Sequence, residues 1–167
     1  IQWDNDTVLM PESDAGLVLK ITPPRIAKTM LERSRLSGLR PEFTDKSVIA
    51  LQAVSGSGKT SLLAQWRKEA LQAGSLVLWL TLDSRDNCNR FMLGLTAAMR
   101  ANSGRPNFGL ACLRAIELNL APLEAVTEWL ADVAALASET LLVLDDVHAM
   151  PQSTFNSALI YLLLNAP

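Results

Sequence analysis

The sequence predicts an α/β fold, a parallel sheet covered by helices on both faces, and three stretches carry that reading. Val48-Ile-Ala-Leu-Gln-Ala-Val54 is an apolar run that enters the glycine-rich Ser55-Gly-Ser-Gly-Lys59-Thr60 and leaves it as a helical pattern. Ser75 to Leu82 is continuously apolar at its centre, as a strand buried on both faces should be. Thr140-Leu-Leu-Val-Leu144 repeats that character and ends in the paired carboxylates Asp145 and Asp146. Strands that alternate with helical patterns in this way mark βαβ units.

Taken in order, residues 1–19 read as a flexible tail, because Asp4, Asp6, Glu12 and Asp14 lie among few periodic apolar residues. Residues 20–46 reverse the sign with Lys20, Arg25, Lys28, Arg33, Arg35, Arg40 and Lys46. Thr22-Pro-Pro-Arg25 should be extended, since proline disfavours helix in the residue before it. A short helix is expected from Met30 to Leu39, stopped by Gly38 and Pro41. The basic patch is either a solvated face or a cover that folds over a bound nucleotide, with Arg25 and Arg33 its leading members.

Residues 47–167 hold the core. The first strand, Val48 to Val54, ends in Ala53-Val-Ser-Gly-Ser-Gly-Lys59-Thr60, which fits the broader Walker A pattern with Ala53 where a glycine usually stands. Gly56 and Gly58 let the chain turn its N–H groups inward around a phosphate, a conformation a Cβ would hinder. Ser55, Gly56, Ser57, Gly58, Lys59, Thr60 and Ser61 are the predicted phosphate contacts, backed by the positive end of the helix that follows. Lys59 reaches the β- and γ-phosphates and acts in catalysis, while the Thr60 hydroxyl is placed for Mg²⁺. An ordinary strand–loop–helix joint is the other reading of the same residues.

Leu62, Leu63, Trp66 and Ala70 share helical spacing, and Gly74 ends that helix. After the second strand, Asp83-Ser-Arg-Asp-Asn87 is a turn in which Asp86 or Asn87 caps a helix to Met99 burying Phe91, Met92, Leu95 and Met99. Asp83 either braces this loop or touches Mg²⁺. Ala101 to Phe108 reads as loop, followed by a helix from Leu110 and a stronger one from Pro122 to Leu136 with Leu123, Val126, Leu130, Val133 and Ala134 inward and Trp129 at its edge. At the end of the last strand Asp145 would hold Mg²⁺ and Asp146 would polarise an attacking water, a Walker B arrangement; two solvated aspartates are the plainer alternative. His148 either orients Asp146 or makes a local loop contact. Gln152 to Leu164 closes the chain as a helix with Phe155, Leu159, Leu162 and Leu163 inward.

Composition excludes several classes. With 49% apolar and 19% charged residues over 167 positions, the chain can support one packed domain. It shows no secretory leader and no run approaching the roughly 18 apolar residues of a membrane span, so a cytoplasmic location and no membrane partner are expected. Cys88 and Cys112 lack CxxC spacing, and one histidine gives no metal site of the zinc kind. A formal charge of −2 does not favour direct nucleic-acid binding. No lysine or arginine follows Arg114, and the chain runs from Ile1 to Asn165-Ala-Pro167 as a fragment would.

The stretches Ile21-Thr-Pro-Pro-Arg25, Leu31-Glu-Arg33-Ser-Arg-Leu36, Leu62-Leu-Ala-Gln-Trp66, Trp79-Leu-Thr-Leu-Asp83, Asp86-Asn87, Arg90-Phe91 and Leu144-Asp-Asp-Val-His148 together make residues 20–167 similar to the nucleotide-binding domain of the large ATP-dependent LuxR-type transcriptional regulators. The resemblance implies a P-loop NTPase three-layer sandwich of the ASCE/STAND type, here truncated at its C-terminus. It implies ATP or ADP with Mg²⁺, self-association in the ATP state, an inducer sensed by a later domain, and DNA bound only by a C-terminal helix-turn-helix beyond this chain. It implies also that a sensor strand, whose arginine has no counterpart after Arg114, inserts between Val48–Val54 and Leu141–Leu144. A stand-alone ATPase or kinase and a scaffold unconnected with transcription are the alternative functions.

Overall fold

The computed structural model describes residues 15–25, 31–136 and 138–167. In chain order its elements are α1 (Ala15–Ile21), a 3₁₀ turn (Ser34–Leu36), α2 (Pro41–Thr44), α3 (Lys59–Gln72), β1 (Leu76–Thr81), α4 (Cys88–Ser103), α5 (Leu110–Glu117), α6 (Pro122–Ala134), β2 (Thr140–Asp145), a second 3₁₀ turn (Val147–Ala149), α7 (Gln152–Thr154), a π turn (Phe155–Leu159) and α8 (Ile160–Asn165).

The sheet among the described residues is a parallel pair, β1 beside β2, in register from Leu76 opposite Thr140 to Thr81 opposite Asp145. Side chains alternate across a strand, and the two sets bury against different layers. Val77, Trp79 and Val143 pack with Leu63 and Ala70 of α3. Leu78 and Leu80 enter the larger core with Phe91, Met92, Leu95, Val126, Trp129, Leu159 and Leu162, from α4, α6 and the C-terminal helical run. Helices therefore cover both faces, an α/β arrangement.

Local signals explain the ends of the elements. The Asn87 side chain accepts the Arg90 N–H at 2.9 Å and starts α4. Pro122 opens α6 at a position where a missing N–H costs nothing. Among the described residues no helix is long and apolar enough to cross a membrane.

Several expectations are corrected. Val48–Val54 is not a strand: it pairs with neither β1 nor β2, and Val48 and Val54 are 51% and 79% exposed. A lone extended segment has no ladder to satisfy its N–H and C=O groups, so apolar composition alone does not make it a strand. The helix expected over 30–39, whose Met30 lies outside the described residues, shrinks to the Ser34–Leu36 turn because side chains of α3 take up the backbone groups around it. Residues 1–14 of the expected tail also lie outside the described residues, but Ala15–Ile21 is helical and docked. Its Lys20 is 6% exposed, ion-paired with Asp86 and, at 3.2 Å, with Asp83. α4 continues to Ser103 rather than ending at Met99. Trp129 is buried, its ring 5.9 Å from that of Phe108 in an edge-to-face contact, whereas Leu123 faces outward.

Candidate functional site

The glycine-rich segment turns sharply at Ser55-Gly56, with the Ser57 N–H donating to the Val54 carbonyl at 3.3 Å. Gly56 and Gly58 have φ of +77° and +85°, the left-handed region that side chains resist, and Gly58 is the residue from which α3 starts. Ser55 and Ser61 are exposed, while Ser57, Lys59 and Thr60 are half-buried. The Ser57 hydroxyl oxygen is shielded from solvent and has no hydrogen-bond partner in the protein.

The Lys59 ammonium folds back onto its own loop, donating to the Ala53 carbonyl at 2.8 Å and the Val54 carbonyl at 3.1 Å. Both acceptors are neutral. From the other side the Arg33 guanidinium donates to the Ser57 carbonyl at 3.1 Å. Two cations thus grip one turn through carbonyls, with no carboxylate among the described residues between them.

Asp145 ends β2, 7% exposed, and its Oδ1 accepts the Asp146 N–H at 3.0 Å. Asp146 itself lies outside the strand with φ +55° and is exposed, so the two neighbouring carboxylates stand in different surroundings. His148 Nδ1 lies 4.0 Å from Asp146 Oδ1, and both side chains are largely solvated. Among the described residues no hydrogen bond or ion pair joins the glycine-rich loop to Asp145 or Asp146. Arg25 is exposed, and among the described residues no hydrogen bond or ion pair joins its side chain to the loop.

Asp83 serves the loop after β1. It is held well below the ordinary carboxylate range, chiefly by hydrogen bonding from the Arg85 side chain; burial opposes this, and the Arg85 N–H and Lys20 add to the lowering. No group of three or more His, Cys, Asp or Glu among the described residues is arranged to hold a metal by itself.

Residues not singled out by pattern include Lys20 and the acceptors Gln65 and Glu69 on α3. Lys20 carried one signal, a lone cation inside the apolar run Leu17-Val-Leu-Lys-Ile21. Gln65 stood in the stretch Leu62-Leu-Ala-Gln-Trp66 without a role of its own, and Glu69 carried no signal beyond its helical spacing.

Comparison with known proteins finds similarity to parts of much longer chains. The serine/threonine-protein kinase PknK of Mycobacterium tuberculosis is 30% identical over 149 residues, covering 87% of this chain and 13% of that protein. PknK of Mycobacterium bovis matches to the same extent. The HTH-type transcriptional regulator MalT of Vibrio cholerae is 29% identical over 154 residues, covering 89% of this chain and 16% of that protein. The chain spans less than a fifth of the length of these relatives. No protein-family model matches it, and no solved structure does.

Proposed function

We propose that this chain is an ATP/ADP-binding switch domain of a signal-responsive transcriptional regulator, built on a P-loop NTPase core of the STAND type. The observation that carries the reading is the glycine-rich turn: left-handed Gly56 and Gly58 at the start of α3, with the Lys59 and Arg33 side chains bonded, among the described residues, only to neutral loop carbonyls. A polyphosphate replaces those carbonyls with charged acceptors, which bind roughly twice as strongly. Similarity to an HTH-type transcriptional regulator supports the placement in transcription.

In this reading Ser55 to Ser61 present N–H groups and hydroxyls to the phosphates, and Lys59 bridges the outer two. Thr60 and Asp145 hold Mg²⁺, which when bound supplies charge neutralisation to the phosphates. Asp146, exposed beyond β2, orients and polarises the attacking water, and His148 stands close enough to steady it. Hydrolysis is slow and works as a timer. The ATP state promotes self-association, an inducer acts through another region of the full-length protein, and a helix-turn-helix elsewhere in it binds DNA. Arg25 belongs to the cover over the nucleotide, and the protein works in the cytoplasm.

The similarity to PknK favours a second reading, in which the same switch governs a protein kinase and not a DNA-binding domain. Titration of a fluorescent ATP analogue onto the full chain tests the shared premise. Lys59→Ala should remove measurable binding without lowering the melting temperature, whereas Asp146→Asn should keep binding and slow turnover. Unchanged affinity in Lys59→Ala would end the nucleotide reading. ATP-dependent binding of operator DNA by the full-length protein, against ATP-dependent phosphorylation of a protein substrate, separates the two outputs.

A further inference from the structure

The segment 31–40 has little secondary structure, yet it is held by side chains from one side of α3. Gln65, only 4% exposed, uses its amide as a peptide would: its Oε1 accepts the Arg33 N–H at 2.9 Å and its Nε2 reaches the Arg33 carbonyl at 3.4 Å. The same Nε2 donates to Glu69 Oε1 at 2.8 Å, which fixes the amide's orientation. Glu69 Oε2 then accepts from the Ser37 hydroxyl at 2.9 Å and the Gly38 N–H at 2.8 Å. Between them the Trp66 indole N–H donates to the Leu36 carbonyl, and a Cβ on Gly38 would meet the Trp66 ring at 3.0 Å. Gln65 and Glu69 lie on neighbouring turns, away from Leu63 and Ala70, which pack against the sheet, and Trp66 stands between the two sets.

Most bonds of this clip fix the backbone of Arg33, Leu36 and Gly38, and none engages the Arg33 side chain. Its guanidinium reaches the glycine-rich loop, 2.9 Å from where a Cβ of Gly58 would stand, and bonds the Ser57 carbonyl. The neighbouring acids are engaged elsewhere: Glu32 pairs with Lys68 at 2.7 Å and Glu42 with Arg40 at 2.7 Å. Among the described residues Arg33 therefore has no carboxylate partner, and neither does Lys59 on the same turn. Two cations without a carboxylate partner and the shielded, unpartnered Ser57 hydroxyl around one loop suit it to an anion.

We propose that Gln65, Trp66 and Glu69 form a clip that makes segment 31–40 one body with the helix carrying Lys59, and that the clip delivers Arg33 as a phosphate-binding residue for a nucleoside di- or triphosphate. The inference rests on the nucleotide-binding reading and deepens it. Arg33 leaves the Ser57 carbonyl for phosphate oxygens, where its planar fork can make paired charge-assisted bonds that a lysine cannot reproduce. Gln65 is a positioning residue: it acts through Arg33 and touches no ligand. Because the strap and the phosphate loop share α3, occupancy of the loop is transmitted to residues 31–40.

The test titrates ATP and, separately, inorganic tripolyphosphate onto the full chain. Arg33→Ala should weaken both on the order of tenfold or more, the effect of one lost charge-assisted contact, and Arg33→Lys should recover part of it. Gln65→Leu should weaken both by a similar factor, and Arg33→Ala with Gln65→Leu should be no worse than Arg33→Ala alone. Additive losses would make Gln65 a merely structural residue and overturn its role. Should Gln65→Leu fail to fold, hydrogen exchange in the wild type and Arg33→Ala serves instead: tripolyphosphate should slow exchange at the Arg33 and Gly38 amides in the wild type only. Wild-type affinity in Arg33→Ala, with binding still lost in Lys59→Ala, overturns this inference and leaves the nucleotide site standing. No binding of either probe by the wild type removes both.

Discussion

Two apolar stretches of similar character, Val48-Ile-Ala-Leu-Gln-Ala-Val54 and Leu76-Val-Leu-Trp-Leu-Thr81, meet opposite fates. The second is a strand whose Val77, Leu78, Trp79 and Leu80 are at most 1% exposed, paired along its length with β2 and covered on both faces. The first has no ladder partner among the described residues, and its Val48, Ile49 and Val54 lie in solvent. Both satisfy the same sequence pattern. Propensity for a pleated, buried surface becomes a strand only where a neighbour supplies hydrogen bonds and a facing layer removes water.

The largest expected effect breaks this contrast directly. Trp79→Ala removes a fully buried aromatic side chain and should cost about 3–5 kcal/mol. Val54→Ser, at a position exposed to 79%, should stay within about 0.5 kcal/mol. Urea denaturation of the two variants measures both. A comparable loss from Val54→Ser would mean that the 48–54 segment is covered in solution.

The same contrast holds for cations. Lys59 is satisfied by loop carbonyls, but Lys20 is buried between Asp86, fully buried itself, and Asp83. Asp86→Asn keeps the shape and leaves Lys20 only the partly exposed Asp83 as a charge partner, which should cost about 1–3 kcal/mol, and Lys20→Met in that background should recover part of it. Lys59→Met should barely move the melting temperature. The cluster is also acid-sensitive. Asp83 has a lowered folded pKa, so the stability it contributes is present above the unfolded carboxyl value, near 4, and is lost as pH falls below that toward the folded value. Asp83→Asn should flatten the stability–pH profile below about pH 4; an unchanged slope there would remove Asp83 from the account.

What the sequence made legible follows from short-range rules. The 3.6-residue spacing of Phe91, Met92, Leu95 and Met99, the Asn87 cap and the continuous apolar runs of β1 and β2 each depend on residues close in the chain. So does the left-handed conformation at Gly56 and Gly58. What stayed hidden joins distant residues: Lys20 with Asp86, Arg33 with Gln65, Trp129 with Phe108. Such pairs leave no period. The failure of 48–54 as a strand is of the same kind, because in a parallel sheet a ladder partner is never local.

Cysteine reactivity gives the finest measure of the contrast, since a thiol reports how often its surroundings open. Cys112 is fully buried in the core between α4, α5 and α6, and burial pushes its thiol up to about 11. At pH 8 its thiolate fraction is therefore about a thousandth, and the reagent must also wait for an opening. A raised folded pKa means that this thiol's contribution to stability is intact below the ordinary thiol value near 8.5 and fades as pH rises toward 11. Cys88 is half-buried beside the Ser157 hydroxyl at 3.4 Å and should be alkylated first. A third thiol introduced by Val54→Cys should react as fast as an unstructured peptide, which sets the zero of the scale. The ratio of its rate to that of Cys112, followed by mass spectrometry with iodoacetamide, should fall steeply as urea approaches the unfolding midpoint. Comparable rates for the two thiols in native buffer would show that the side of β1 packed against α4 and α6 opens as readily as the loop edge.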